Sequence, residues 1–163
     1  VMVARELADA GLRTVFLDLT WSGAPSAAML ESGRYPGITN LLASRAQFAD
    51  VIHGDLYSDC HVLPSGTADP EQAMKAADRL PIVLEALTTA YDIVVVECGA
   101  TEAAAIAGVA GEDAEVFVSA IEPEAEAVAA VADGLEAAGY PDVMKVVPAD
   151  PGRRPSLRGR FAA

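Results

Sequence analysis

Two acidic residues each close an apolar run. Asp18 ends the strand-like stretch in RTVFLDL, and Glu97 ends the one in AYDIVVVECGA. Runs rich in β-branched residues, without a polar interruption, suit strands covered on both faces in a parallel sheet. Open α/β sheets take their ligands at the carboxyl ends of their strands. Both carboxylates are thus expected where an acid associated with magnesium would serve phosphate chemistry. The plainer reading of each is a strand-end turn residue or a cap for a backbone N–H. Cys98 follows Glu97 near a helix start, a setting that lowers a thiol's pKa; a small buried residue is the simpler expectation. Trp21, the sole tryptophan, lies in the loop beside Asp18. Loop packing is expected of it, with a ligand cover or a subunit anchor as the alternative.

Acids of this kind need a phosphate cradle. A GxxxxGK[ST] loop combines inward backbone N–H groups, a lysine for the outer phosphates and a hydroxyl for magnesium. The chain has two lysines, Lys75 and Lys145, placed within a predicted helix and a predicted strand, and neither can fill that role. No GxGxxG occurs, so the dinucleotide fingerprint is missing too. His53, Asp55, Asp59, Cys60 and His61 lie close in sequence, but without the tight repeated spacing of structural zinc sites. Surface polar residues at a strand entry are expected there.

The elements that must position these residues alternate. A helix over the first ten residues stops at Gly11, and a strand follows over 13–19. Gly23 and Pro25 punctuate the next loop, a short helix is expected over 26–31, and YPGITNLLASRAQFADVI gives a turn and two short helices. DCHVLPSG is a strand over 59–66, Asp69–Pro70 starts a helix, and Pro81 splits the pattern into helices near 71–79 and 81–90. After the strand over 92–97 come a helix over 101–110 and a strand over 114–120. EPEAEAVAAVADGLEAAG is a helix with Glu122 and Glu124 in its first turn and a stripe of Ala125, Val128, Val131, Ala132, Leu135 and Ala138. A last strand spans 142–149. Such alternation predicts βαβ units and a doubly wound, mostly parallel α/β sheet.

The chain's 163 residues suit one domain, expected over 1–149, with a basic, disordered tail over 150–163. No apolar stretch reaches the roughly 18 residues of a membrane span. The net charge of −13 argues against nucleic acid. Arg153, Arg154, Arg158 and Arg160 make the end of the chain basic, either as a disordered linker or as an arm for an acidic surface. Two cysteines give no disulfide framework. The opening helix lacks a cap, and the chain is expected to be a piece of something longer, with a phosphate loop and its strand preceding Val1 if one exists.

Over residues 5–147 the sequence resembles the cytoplasmic domain of bacterial tyrosine kinases (BY-kinases), proteins of exopolysaccharide and capsule synthesis related to the MinD/ParA P-loop ATPases. LADAGLRTVFLDLTWSG resembles the family's helix, glycine and strand ending in Asp-x-Asp-x-Arg, the Walker A′ motif. YPGITNLLASRAQFADVI resembles its Pro-Gly-hydrophobic turn, CHVLPSGTADP its hydrophobic-Leu-Pro-x-Gly segment, and LTTAYDIVVVECGA its Tyr-Asp run into Asp-Thr-Pro-Pro. Asp18 matches the first acid of the A′ motif, whereas Thr20 and Ser22 stand for its second Asp and its Arg. Glu97 replaces the Walker B Asp, and Cys98, Gly99 and Ala100 replace the rest; no tyrosine follows Tyr140.

The resemblance implies a P-loop NTPase-like three-layer sandwich lacking the P-loop strand, with Asp18, Thr20 and Glu97 as the residues nearest a nucleotide. Phosphoryl transfer is largely positioning and charge neutralisation, and each preorganised group lost costs roughly 3 to 4 kcal/mol. A catalytically degenerate regulatory or scaffolding domain is therefore expected. It would be cytoplasmic, tethered to the inner membrane through segments outside this chain, homo-oligomeric, and in contact with the polysaccharide assembly machinery. The alternative is a fragment of an active tyrosine kinase or MinD/ParA-type ATPase, using ATP and magnesium through a loop upstream. In P-loop folds of this class the loop-bearing strand lies between the Glu97 strand and the 114–120 strand; without it the sheet is expected to close or to be covered by a neighbouring copy, because an open edge invites aggregation.

Overall fold

Every residue of Thr14–Asp18 (β1) is buried, and the first part of the chain is arranged around it. The computed structural model describes residues 1–32, 34–101, 103–111, 114–119, 126–140 and 143–146. The chain divides into two compact units, Val1–Thr101 and Glu102–Ala163. The expected basic tail, and Glu122, Glu124 and Ala125, lie outside the described residues.

In the first unit, His53–Gly54 (β2), His61–Leu63 (β3), β1 and Ile93–Glu97 (β4) form one sheet in the order β2-β3-β1-β4. β1 pairs in parallel with both β3 and β4, and β2 is antiparallel to β3. Successive side chains of a strand point to opposite faces, so β1 supplies two cores. Val15 and Leu17, with Leu63, pack on one face against Ile38, Leu42, Val51, Val83 and Leu87. These come from Ile38–Leu42 (α3), Phe48–Val51 (α4) and Leu80–Ala90 (α6). Phe16 and Val62 pack on the other face against Ala4, Ala8, Met29 and Cys60, where Met2–Asp9 (α1) lies. Burying each large apolar side chain is worth roughly 1.5 to 3 kcal/mol. This layering is the three-layer α/β class expected from the sequence.

Pro25 sits in the first turn of Ala24–Ala27 (α2), so this helix starts two residues before the expected one. Proline's fixed φ suits a first turn. Pro70–Met74 (α5) is capped by Asp69, which accepts from the Glu71 N–H, and Pro81 lies in the first turn of α6.

Two turns lock together beside the sheet. Ile38 N donates to Pro64 O at 2.8 Å and Thr39 N to Ser65 O at 3.1 Å. Asn40 Oδ1 accepts from Gly37 N at 3.0 Å and Thr67 N at 2.8 Å. A Cβ on Gly37 would collide with the Pro64 carbonyl, which explains the glycine. Across the sheet, Arg5 of α1 holds Asp55 through Nε at 2.8 Å and Nη2 at 2.7 Å; the Asp55 side chain is wholly buried.

The second unit contains Ala103–Ala107 (α7), Phe117–Ser119 (β5), Glu126–Ala137 (α8) and Met144–Val146 (β6). β5 and β6 pair in parallel, Phe117 opposite Met144, so β5-α8-β6 is a βαβ unit. Ala132 and Leu135 of the expected stripe are buried.

The expected closure of the sheet is not found. Among the described residues, β4 ends the four-stranded sheet and β5 pairs only with β6. No described segment supplies a strand for the outer side of β4, whose five residues are all half-buried.

Candidate functional site

The parallel register that joins β1 to β4 sets Asp18 directly opposite Glu97. Both acids therefore stand at the carboxyl end of the sheet, as the sequence predicts. Their surroundings differ.

Asp18 is completely buried. Its Oδ1 accepts from Thr20 N at 2.9 Å and from Thr20 Oγ1 at 2.7 Å, and its Oδ2 accepts from Ser26 N at 2.9 Å. Thr20 Oγ1 in turn accepts from Gly23 N at 3.1 Å. Gly23 has a φ of 60°, a left-handed conformation that glycine adopts without strain. The Asp18 carboxylate is thus the internal anchor of the 18–26 loop, and it presents no oxygen to solvent. Gly23 is legible in the sequence as turn punctuation, whereas Ser26, which completes this arrangement, is not. Ser26 is eight residues from Asp18, and no local pattern marks that pairing.

Glu97 is half-buried, and its Oε1 accepts from Gly99 N at 3.3 Å. Its backbone carbonyl accepts from Leu19 N at 2.9 Å, carrying the ladder one step past Asp18. Gly99, at φ 66°, passes so close to Thr20 that a Cβ there would stand 3.3 Å from Thr20 Cγ2. The structure therefore brings Asp18, Thr20 and Glu97 together in one place.

The other candidates are dispersed. Trp21 is 82% exposed, so the expected loop packing is not what holds it. Cys98 is half-buried, and burial, with Glu97 adding to it, pushes its thiol up rather than down. Burial, assisted by Asp55, raises Cys60 to about 11. His53 Nε2 lies 2.9 Å from Pro36 O, His61 Nδ1 lies 2.7 Å from Tyr91 Oη, and Asp55 is taken by Arg5. Among the described residues, no group of three or more His, Cys, Asp or Glu side chains is placed to hold a metal ion, and no helix is long and apolar enough to cross a membrane.

The groups here do not fit a magnesium nucleotide unaided. Of the two paired acids Glu97 alone has access to solvent, Lys75 caps α5, and Lys145 lies in β6 of the second unit. What the arrangement can do is fix two adjacent loops, 18–26 and 97–99, against one another.

No protein-family model matches the chain, and no curated protein matches it by sequence. Solved structures do. The BceF tyrosine kinase domain is 24% identical with a TM-score of 0.63, over 89% of this chain and 60% of that one. The kinase domain of Escherichia coli tyrosine kinase ETK is 18% identical with a TM-score of 0.73, over 98% and 64%. The septum site-determining protein MinD of Pyrococcus horikoshii, complexed with Mg-ADP, is 20% identical with a TM-score of 0.61, over 88% and 59%. The chain thus spans less than two thirds of the length of each of these three. Its α/β architecture is the fold of these tyrosine kinase domains and of MinD.

Proposed function

We propose that this chain is a catalytically degenerate regulatory or scaffolding domain of an exopolysaccharide biosynthesis or export protein. Residues 1–149 act as one α/β domain and 150–163 as a basic tail. The observation that carries this reading is the state of Asp18: it is buried and bonded to Thr20 and Ser26. A residue spent on its own loop supports a structural role better than a metal-binding one. Thr20, where the resembling family has a second acid, contributes a hydroxyl to the same loop.

In this reading the domain is cytoplasmic, tethered to the inner membrane through segments outside the chain, and works by self-association and contact with the assembly machinery. The β4 edge favours association, since an apolar edge strand without a described partner offers unpaired N–H and C=O groups to another strand. The test is calorimetric titration of Mg-ATP into the 163-residue chain and into the natural protein that contains it, alongside a phosphotransfer assay. Absence of binding and transfer in both is the expected result.

A second reading is a fragment of an active tyrosine kinase or MinD/ParA-type ATPase. One observation favours it: the fold shared with a MinD solved with Mg-ADP. Tight Mg-ATP binding by the natural protein, lost on Glu97→Ala, would establish this reading instead.

A further inference from the structure

A cleft of about 160 Å³ opens between residues 21–32 with Tyr35 on one side and the Pro64–Gly66 turn on the other. Its walls carry hydroxyls from Ser22, Ser32, Tyr35 and Ser65, and Trp21 stands at its edge. Two of these hydroxyls are pre-set by the backbone. Ser22 Oγ accepts from Ala24 N at 3.2 Å, and Ser32 Oγ accepts from Arg34 N at 3.4 Å. Ser32 thereby keeps its own proton for a ligand, whereas Ser22 turns its proton toward Thr20 Oγ1 at 3.4 Å, since Thr20 gives its own to Asp18. Trp21 is 82% exposed, although its loop is anchored from both sides through Asp18. Because the loop backbone is already anchored, a ligand that meets Trp21 has only the side chain to order.

The charges narrow the ligand. Among the described residues, no charged side chain lines the cleft. An anion would find no cation there, on a chain whose net charge is −13. A cation would find no carboxylate. A purely apolar ligand would strip water from the hydroxyls without replacing its hydrogen bonds, which is costly. A neutral ring bearing hydroxyl groups, each both donor and acceptor, with an apolar C–H face for the indole, meets these constraints together. The volume suits one ring, since a cavity of roughly 150 Å³ holds benzene.

We propose that this cleft binds a single pyranose unit, free or at the end of a glycan chain, with one face of the sugar on Trp21 and its hydroxyls on Ser32 and Ser65. The assignment is independent of whether the Asp18–Glu97 end of the sheet takes a nucleotide.

Trp21 is the only tryptophan, so its fluorescence reports the cleft directly. The 163-residue chain is titrated with glucose, galactose, cello-oligosaccharide and, as the charged control, inorganic phosphate. Saturable change with at least one sugar and none with phosphate is expected. Saturation by the monosaccharides assigns the free sugar; saturation by the oligosaccharide alone assigns the chain end. Ser32→Ala and Ser65→Ala, both substitutions of non-buried residues, should each weaken the midpoint by roughly fivefold, the worth of one net hydrogen bond. Calorimetry on Trp21→Ala should show the heat of sugar binding lost while the thermal transition stays in place. No saturation with any sugar, saturation with phosphate instead, or midpoints unchanged in both serine variants would overturn the proposal.

Discussion

Asp18 and Glu97 face each other across the β1–β4 ladder, yet one carboxylate is sealed inside its own loop and the other is half-buried. The same sheet end therefore holds an acid that builds structure and an acid with access to solvent. Removing Asp18 should cost stability first. Asp18→Ala leaves the N–H groups of Thr20 and Ser26 without their acceptor, a loss of roughly 3 kcal/mol, measured by denaturant unfolding. Asp18→Asn keeps one acceptor oxygen but turns an amide donor toward another donor, and should fall between the two. A wild-type protein stabilised by magnesium through Asp18 would contradict this assignment.

Arg5 and Asp55 set the response to acid. Burial pushes Asp55 up, but hydrogen bonds from Arg5 and Ser58 outweigh it and hold the carboxyl below its ordinary value of 3.8. A depressed carboxyl contributes stability that is present above 3.8 and lost as pH falls through its folded value. Arg5→Met leaves a buried charge without its partner and should cost about 3 kcal/mol near neutrality. The gap between variant and wild type should narrow below pH 3.8, where protonation relieves the variant and dissolves the pair in the wild type. Melting curves across that range decide it.

How much of this the sequence reveals follows from the range of the interactions. β1 and β4 are legible because each is an apolar run long enough to be covered on both faces, and the rule for carboxyl ends of parallel strands then puts Asp18 and Glu97 at one end of the sheet; that their strands are neighbours comes only from the register. β2 is not legible: it is two residues defined only by pairing with β3. Pro25 read as loop punctuation because proline suits both a turn and a helix's first turn, and only the surrounding packing selects between them. The Asp18–Ser26 bond and the exposure of Trp21 depend on tertiary geometry that no short window contains.

Both thiols should be sluggish. Cys60 lies in the apolar layer under α1, pushed up to about 11 by burial, and Cys98 is pushed up by burial and by Glu97. Because the thiolate is the reactive form, iodoacetamide at mildly alkaline pH should label both far more slowly in the native chain than in denaturant. Peptide mass spectrometry resolves the two sites. Fast native labelling of Cys98 would instead mark it as an activated thiol.

Gly37 and Gly54 make a matched pair of tests. A methyl group on Gly37 meets the Pro64 carbonyl, whereas one on Gly54 meets nothing within 4 Å. Gly37→Ala should cost about 3 kcal/mol through overpacking, and Gly54→Ala should stay within roughly 0.5 kcal/mol of wild type. Denaturant midpoints compare them.

Asn40 also has a consequence in time. Its side-chain oxygen gathers N–H groups from Gly37 and Thr67, and the second of these arrives only once β3 has aligned on β1 and carried the following turn into place. The clasp therefore belongs to the last stage of assembly and the first stage of opening. Asn40→Ala should leave the refolding rate nearly unchanged and speed unfolding, as a contact absent from the transition state does. Stopped-flow chevrons would show the shift on the unfolding arm alone. The two locked turns thus act as a latch on how long the folded chain lasts more than on how quickly it forms.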